Sequence, residues 1–491
     1  MAFDCDVLIV GGGPTGVTLA ILLALRGVTV IVAEKEAAIH PLPRAAHIDD
    51  EGMRILQAAG VADAVMATSR RVARYDFLNA KAQVLLRFDG ADQIGPAGWP
   101  ISNMIHQPSV EAALRQALAA CDSAVLQSGW DVGAISEDGA NGVVAKIATS
   151  DGARTIRARY AVGADGARSP VRKACNIVFD DLDFEEPWLV VDALVDDASR
   201  LPAVNLQICD PARPTTCVLM GEGRHRWEFM ILPGETPEQV SADAFVERLL
   251  EPWNVKGAVR IERKAVYTFR ARVARQWRQG RVLLAGDAAH QTPPFAGQGM
   301  CSGLRDASNL AWKMAAVVAD GAPDALLDSY QIEREPHVRA TIRMAIMMGR
   351  TVCISNRRAA FMRDLKFRIA RTLRLTPDGP PAYPPIARGA ILAGSAAAGS
   401  AFPQFIATDG ARIDDLLGAG PWLIERATLG NGPLAPLAGQ ITQWLNSNRA
   451  DAVLVRPDRF VFGTGCAASL QGSWSLATGC PGSFSGLPEM P

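Results

Sequence analysis

The chain has 491 residues, enough for about three domains at roughly 150 residues each. Its 50 Lys+Arg nearly cancel 51 Asp+Glu, which excludes a strongly basic nucleic-acid binder and a protein held to membranes by bulk charge. A composition 49% hydrophobic and 21% charged excludes global disorder, and nine Cys with no close Cys-x-x-Cys pair point to a reduced intracellular protein, neither a disulfide scaffold nor a zinc module.

Residues 6–10 (DVLIV) are a short apolar β run. The run is no secretion signal: Asp4 and Asp6 stand where a basic segment belongs, and Gly11 to Pro14 interrupt it well short of the roughly 18 residues of a membrane span. The chain is therefore expected to be soluble and cytoplasmic, with no stable membrane association. A helical stretch from Thr15 to Arg26 follows, closed by Gly27, and then a second β run over 28–33 (VTVIVA); together they make a βαβ unit. Residues 107–120 read as a helix, 142–148 and 154–162 as strands, and 188–232 alternate as a β-rich sheet does. A buried β run at 282–286 (VLLAG) leads through a loop into a helix over about 299–319.

Residues 336–374 are expected to be helical. Phe361, Leu365, Ile369 and Leu373 recur at a spacing of four, ringed by Arg357, Arg358, Arg363, Lys366, Arg368, Arg371 and Arg374. Such a stripe packs on the domain or on a partner subunit; a membrane-surface helix is the alternative. A Pro-dense linker at 376–385 precedes a separate C-terminal segment with one clear strand at 452–455, and residues 464–491, with one charged side chain, are expected to lack regular structure.

Gly11, Gly13 and Gly16 fit G-x-G-x-x-G between a strand and a helix, with Pro14 and Thr15 inside the motif. Gly11 permits the tight turn, Gly13 lets a pyrophosphate approach the backbone, and Gly16 lets helix and strand pack closely. Glu34 ends the second strand, where an acid accepts hydrogen bonds from an adenosine ribose, and Lys35 follows it. Two further motifs go with this dinucleotide site. Gly286-Asp287 ends a strand and leads through Pro294, Gly297 and Gly299 into a helix; Asp165 opens a DGARSPVR segment directly after another strand. An Asp at a strand end holds a ribityl or ribose hydroxyl, and a Gly-rich loop at a helix N-terminus stabilises negative charge on a flavin.

These three motifs, in this order, resemble those of the single-component flavoprotein aromatic hydroxylases of the p-hydroxybenzoate hydroxylase fold. Within that family the sequence is most similar to the 3-(3-hydroxyphenyl)propionate hydroxylase group, through stretches such as PLPRAAHIDDE (41–51), RWEFMILPGE (226–235) and PPFAGQGMCSGLRDASNLAWK (293–313). The resemblance implies an α/β fold: a Rossmann-type FAD-binding domain over 1–180 and 268–375, interleaved with substrate-domain segments near 72–106; a β-sheet substrate domain over 181–267; and a thioredoxin-like module over 386–491, without its Cys-x-x-Cys. It implies FAD held by Gly11, Gly13, Gly16 and Glu34, with Arg44 and Gln107 near the flavin, Asp287 on its ribityl chain, and Gly297 to Met300 along its pyrimidine edge. Asp165 would serve FAD and the nicotinamide donor, NADH or NADPH. The implied reaction is hydroxylation of a small phenol with O2 through a flavin C4a-hydroperoxide, and the resemblance carries a homodimer as a family-level expectation.

Such an electrophilic step needs an activated phenol and a dry site. His47, in the loop after Arg44, is the candidate base, and Asp49 is expected to cap a helix over 50–58. Tyr267 and Arg226 are candidates to reach the substrate from the β-rich domain, and Pro294 to face the reacting oxygen through its carbonyl. His106 and His290 are expected to be structural. Six His with no His/Cys cluster give no metal site. The alternatives are a halogenase, a reductase or an enzyme for a non-phenolic ring on the same fold, an NAD-dependent dehydrogenase, and a non-catalytic flavoprotein-fold binder. A halogenase's Trp-x-Trp-x-Ile motif is missing, and a dehydrogenase leaves the Asp287 motif unexplained.

Overall fold

The strand Cys5–Val10 is buried over nearly its whole length, as a central parallel strand covered on both faces must be. It pairs in parallel with Val30–Glu34 on one side and Gly152–Gly163 on the other; Ala124–Ser128 and Val282–Leu284 extend the parallel core outward. The computed structural model describes residues 2–139, 142–375, 383–480 and 484. Antiparallel strands Asp131–Glu137, Val143–Thr149 and Arg278–Gln279 complete this eight-stranded sheet. The helix Pro14–Ala24 starts on a proline, whose missing N–H and fixed φ suit the first turn, and packs against the helix Gly299–Val318.

The parallel strands all run the same way, so Gly11, Glu34, Asp165 and Gly286 emerge at one edge, the carboxyl ends of the sheet. Ligands of open α/β sheets bind at that edge.

The second sheet is also eight-stranded and mostly antiparallel. Its order is His290–Gln291, Val259–Ala274, Phe179–Val195, Arg224–Met230, Thr215–Met220, Asn205–Cys209, Arg74–Asn79, Val84–Asp89. The β-rich sheet thus draws its last two strands from before residue 90, and its longest ones, Phe179–Val195 and Val259–Ala274, pair with each other.

The region expected as one helix over 336–374 is two, Asp328–Val352 and Arg357–Thr372, separated by a break at which Asn356 caps the second through the N–H groups of Arg358 and Ala359. Most of the stripe does not pack on the domain: Phe361, Ile369 and Leu373 are exposed, and Leu365 is half-buried. Most of the expected linker, 376–382, lies outside the described residues.

Where a thioredoxin-like module is expected, strands Trp422–Glu425, Ala452–Val455 and Val461–Gly465 form a three-stranded antiparallel sheet with helix Ala438–Ser447. The tail is not wholly irregular: Ala467–Thr478 is a helix, because Leu470 and Trp474 face the main core and Trp474 stacks on Trp312 at 5.6 Å. One face of the small sheet therefore belongs to the main core, while the other has its own cluster around Phe402, Trp422 and Leu445. Arg456 locks the two together. It donates to Glu333 (2.7 Å) and Asp458 (2.5 Å), and Lys313 also reaches Glu333 (2.8 Å), all fully buried. Among the described residues no helix is long and apolar enough to cross a membrane.

Burial opposes the charge on Glu333, but Arg456 and Lys313 outweigh it and hold the carboxyl down at about 2. Glu333→Ala would leave the buried Lys313 without its carboxylate and Arg456 with Asp458 alone, and should destabilise the fold by about 3–5 kcal/mol in denaturant unfolding. His225, against Trp227 at 4.5 Å, has its pKa lowered by burial to about 3. Unfolded histidine titrates near ~6.5, so this neutral imidazole contributes full stability above that pH and loses it as pH falls toward 3, by up to ~1.4 kcal/mol per pH unit. His225→Asn should flatten that part of the stability–pH curve.

Candidate active site

A cavity of about 2030 Å³ runs along the carboxyl edge of the parallel sheet and on to the face of the antiparallel sheet. Ordinary ligand pockets are roughly 300–1,000 Å³, so this one has room for a dinucleotide and a second small molecule.

The glycines sit as their motif requires. Gly11 has φ +108°, and a Cβ there would come within 2.4 Å of the Ala164 carbonyl. A Cβ on Gly16 would lie 2.1 Å from the Gly11 carbonyl, so only glycine lets this helix close on the strand. At Gly13 and Gly299 a Cβ would meet nothing within 4 Å: their bare backbone faces open space beside two helix N-termini. The Glu34 carboxylate accepts from the N–H of Gly12 (2.6 Å) and of Glu36 (2.9 Å), which fixes it at the end of its strand. Pro14 and Thr15 line the cavity, and Thr15 also fills the space left by Gly286 and Gly303. Lys35 is exposed at the rim beside Glu36.

On the far side, Asp287 presents its carboxyl to the cavity, and among the described residues no donor engages it; burial pushes its pKa up. Asp165 accepts from Val171 N–H (2.9 Å) through one oxygen while the other is buried without a partner. Two unclaimed acceptors, a seated ribose acid and open glycine backbone fit the hydroxyls, ribose and phosphates of FAD. Glu34, Gly13, Asp165 and Asp287 are the residues that would hold it. Gly297, in the left-handed region at φ +64°, and Met300 line the same cavity.

Sequence reasoning missed the groups that hold this edge in place. Asp306 accepts from Gly286 N–H (3.0 Å) and Arg334 Nε (2.9 Å), and pairs with His290 Nε2 (2.6 Å). Burial works against it, yet His290 and Arg334 keep its carboxyl below the usual range. His290 is thus structural. Arg305 donates to Asp49 (2.5 Å), Glu51 (2.5 Å) and Gln298 (3.0 Å), tying the loop before Gly299 to the helix Asp50–Ala58, which Asp49 caps through Gly52 N–H (2.8 Å). Their signal in the sequence is a buried charge on a helix, which no spacing rule singles out.

Two candidate residues turn out to be engaged elsewhere. Arg226 donates Nε and Nη2 to Asp192 (2.6 and 3.0 Å), Nη2 to the Pro43 carbonyl (2.7 Å) and Nη1 to the Arg44 carbonyl (2.9 Å), so it positions the loop rather than reaching toward a substrate. Gln107 accepts from Arg44 and Ala45 N–H (3.0 and 2.6 Å) and donates to Glu111 (2.7 Å), so its amide is spent on the same loop. The Arg44 side chain is exposed on that loop and lines the cavity.

His47 lies against Gly297, with Nδ1 3.3 Å from its carbonyl, and burial pushes its pKa below the ordinary histidine value. The Pro294 carbonyl faces the cavity region but accepts from Gly297 N–H at 2.8 Å. Tyr267 lines the cavity with its ring 4.9 Å from the Arg263 guanidinium. Two strands away in the same sheet is Glu228, which lines the cavity and was not singled out from sequence. Among the described residues no cluster of three or more His, Cys, Asp or Glu side chains is arranged to hold a metal.

The chain is similar to known proteins along most of its length. The family model described as FAD binding domain matches residues 4–345. A Rhodococcus jostii (strain RHA1) protein named probable NADH-specific resorcinol 4-hydroxylase is 36% identical over 493 residues, covering 93% of this chain and 91% of that protein. A Comamonas testosteroni 3-(3-hydroxy-phenyl)propionate/3-hydroxycinnamic acid hydroxylase is 41% identical over 364 residues, 74% of this chain; the match spans only 61% of that longer relative. Among solved structures, the flavin-dependent monooxygenase PieE in complex with FAD and substrate superposes with a TM-score of 0.79 at 21% identity, over 97% of this chain and 99% of its own. Aklavinone-11 hydroxylase with FAD and aklavinone gives 0.78 at 23% identity over the same shares. At these identities the structural matches show a common fold.

Asp287→Ala removes a carboxyl that would face FAD hydroxyls. It should weaken FAD binding on the order of 10- to 100-fold, as expected for charged hydrogen bonds worth about 1.5–3 kcal/mol, in a fluorescence titration of apoprotein with FAD.

Proposed function

The chain belongs to the FAD binding domain family, among its FAD-dependent aromatic hydroxylases, and from that premise we propose that it hydroxylates a small phenol with O2 and NADH. One observation carries the reading: the cavity that holds the three dinucleotide motifs continues without interruption on to a sheet face bearing Tyr267 and Glu228. A second, ring-sized ligand can therefore lie next to the flavin's place. The likeness across 93% of the chain to a protein named for resorcinol and NADH supports a small, uncharged phenol and NADH over NADPH. The match to hydroxylases of 3-(3-hydroxyphenyl)propionate supports the same ring with an acidic tail as the second substrate to try.

FAD, when bound, takes a hydride from the nicotinamide and activates O2. The protein's own part is to seat the ring, keep it dry and activate its hydroxyl. Trp188, Phe269 and Phe295, whose rings meet at 5.6–6.0 Å, form an apolar wall behind Tyr267 that excludes water. The Asp192–Arg226 pair fixes the Pro43–Arg44 backbone, and with it the approach of His47 to Gly297. There is no second Rossmann unit for the nicotinamide among the described residues, so it must visit the open cavity.

Purified, FAD-loaded protein should oxidise NADH faster when resorcinol or a related phenol is added, with hydroxylated product matching NADH consumed and little H2O2. A panel of phenols without stimulation, or stimulation that yields peroxide alone, would sink this reading.

A further inference from the structure

The antiparallel sheet carries one row of side chains across its strands toward the cavity. Ala265 pairs with Val190, Val190 with Glu228, Glu228 with Thr216, and Thr216 with Gln207. Residues directly opposite on neighbouring strands share a face. Val190, Glu228 and Thr216 line the cavity, with Tyr75 and Val218 nearby on the same sheet. Within this row the polar groups other than Glu228 satisfy one another. Thr216 donates to Gln207 Oε1 (2.9 Å), Tyr75 approaches the same oxygen (3.4 Å), and Gln207 Nε2 donates to the Thr215 carbonyl (3.1 Å).

Glu228 is the exception. Its side chain is 12% exposed, and among the described residues no donor reaches its carboxyl. The nearest cation is Arg226, with Nη1 3.7 Å from Oε1, but that nitrogen donates to the Arg44 carbonyl and the rest of the guanidinium faces Asp192 and Pro43. The clamp thus places a cation close enough to keep a buried carboxylate in place without neutralising it. A largely buried acceptor that the protein leaves without a donor, open to a ligand cavity, calls for a donor from the ligand.

We propose that Glu228 accepts the hydrogen bond of the substrate's phenolic hydroxyl and takes its proton as the ring is hydroxylated. This rests on the hydroxylase reading above. As the phenol O–H bond breaks, its electron pair stays on oxygen and raises electron density at the ortho and para carbons, and the proton passes to the Glu228 carboxylate. When the ring regains aromaticity it releases its own ring hydrogen to solvent, and Glu228 returns its proton to the phenolic oxygen. His47 is the competing proton acceptor: burial lowers its pKa, although its contact with the Gly297 carbonyl works the other way. Glu228 is shifted the opposite way, its pKa raised by burial, with Asp192 adding to the rise and Arg226 and Arg263 opposing it; Tyr75 is the other titratable group it faces. A carboxyl shifted upward is closer in basicity to a phenol and so a better partner for it.

The test uses full-length, FAD-loaded Glu228→Gln, which keeps the side chain's size, with His47→Gln beside it. Glu228→Gln should retain its FAD and its melting temperature, yet lose ~10²–10⁴-fold in phenol hydroxylation. NADH consumption should shift to H2O2, and the fall in rate that the parent shows as pH drops through the carboxyl's titration should vanish. The defect should shrink for fluorinated phenols already ionised at the assay pH, which need no base; a merely structural role would not distinguish phenols by acidity. Phenol binding, read from the flavin absorbance change, should weaken in parallel for neutral phenols. A Glu228→Gln enzyme within threefold of the parent, a loss equal for neutral and ionised phenols, or removal of the acid limb by His47→Gln instead would overturn the proposal and leave the hydroxylase reading intact. A parent protein that hydroxylates no phenol overturns both.

Discussion

The Asp192 carboxylate is the point on which the site's geometry depends. Fully buried in the long strand Phe179–Val195, it receives Arg226 from one neighbouring strand and Arg263 (3.3 Å) from the other, and both arginines continue to the carbonyl of Pro43. A buried charge is tolerated only when paired and hydrogen-bonded, and a guanidinium fork can satisfy a carboxylate and two carbonyls at once. The result joins two sheets that share no ladder at this point. The loop over residues 43–47 belongs to the dinucleotide domain's chain, but it is held by the antiparallel sheet, so the two walls of the cavity cannot move apart without breaking buried charge contacts.

The same device recurs at each place where the fold must be held still. Asp306 ties Gly286 to the helix pair, Arg305 ties the loop before Gly299 to the Asp49 cap, and Glu333 ties the C-terminal sheet to helices Gly299–Val318 and Asp328–Val352. All of them converge on the helix Gly299–Val318, whose N-terminus opens on to the cavity. Packing alone would leave such loops free to slide over one another, whereas directional charge contacts give them a single arrangement. Carboxyl oxygens that face the cavity and meet no hydrogen-bond donor among the described residues are then the informative ones: those of Asp287, one of Asp165, and those of Glu228.

The C-terminal region shows why a composition argument fails at a chain's end. Residues 467–478 contain almost no charge and several small residues, which read as a tail. Yet Leu470 and Trp474 supply an apolar face, and the main core supplies its partner. The stripe of Arg357–Thr372 is the converse: a periodicity that looks made for packing leaves Phe361, Ile369 and Leu373 exposed among the described residues.

The sequence by itself determined the backbone frame of the candidate dinucleotide site. Glycines at 11, 13 and 16, an acid at 34 and an Asp at 287 act through backbone conformation and strand ends, which are local, and local constraints leave their mark at fixed spacing. The Asp49 cap and the helix N-terminus at Gly299 were legible for the same reason. Which side chains face the substrate was decided only by the tertiary structure. Arg226 and Glu228 are two residues apart on one strand and on one face, and nothing in their spacing says that the first is consumed by Asp192, 34 positions away, while the second is left open. Partners brought together across sheets are set by how the sheets pack, and long-range packing writes no periodic signal into the chain.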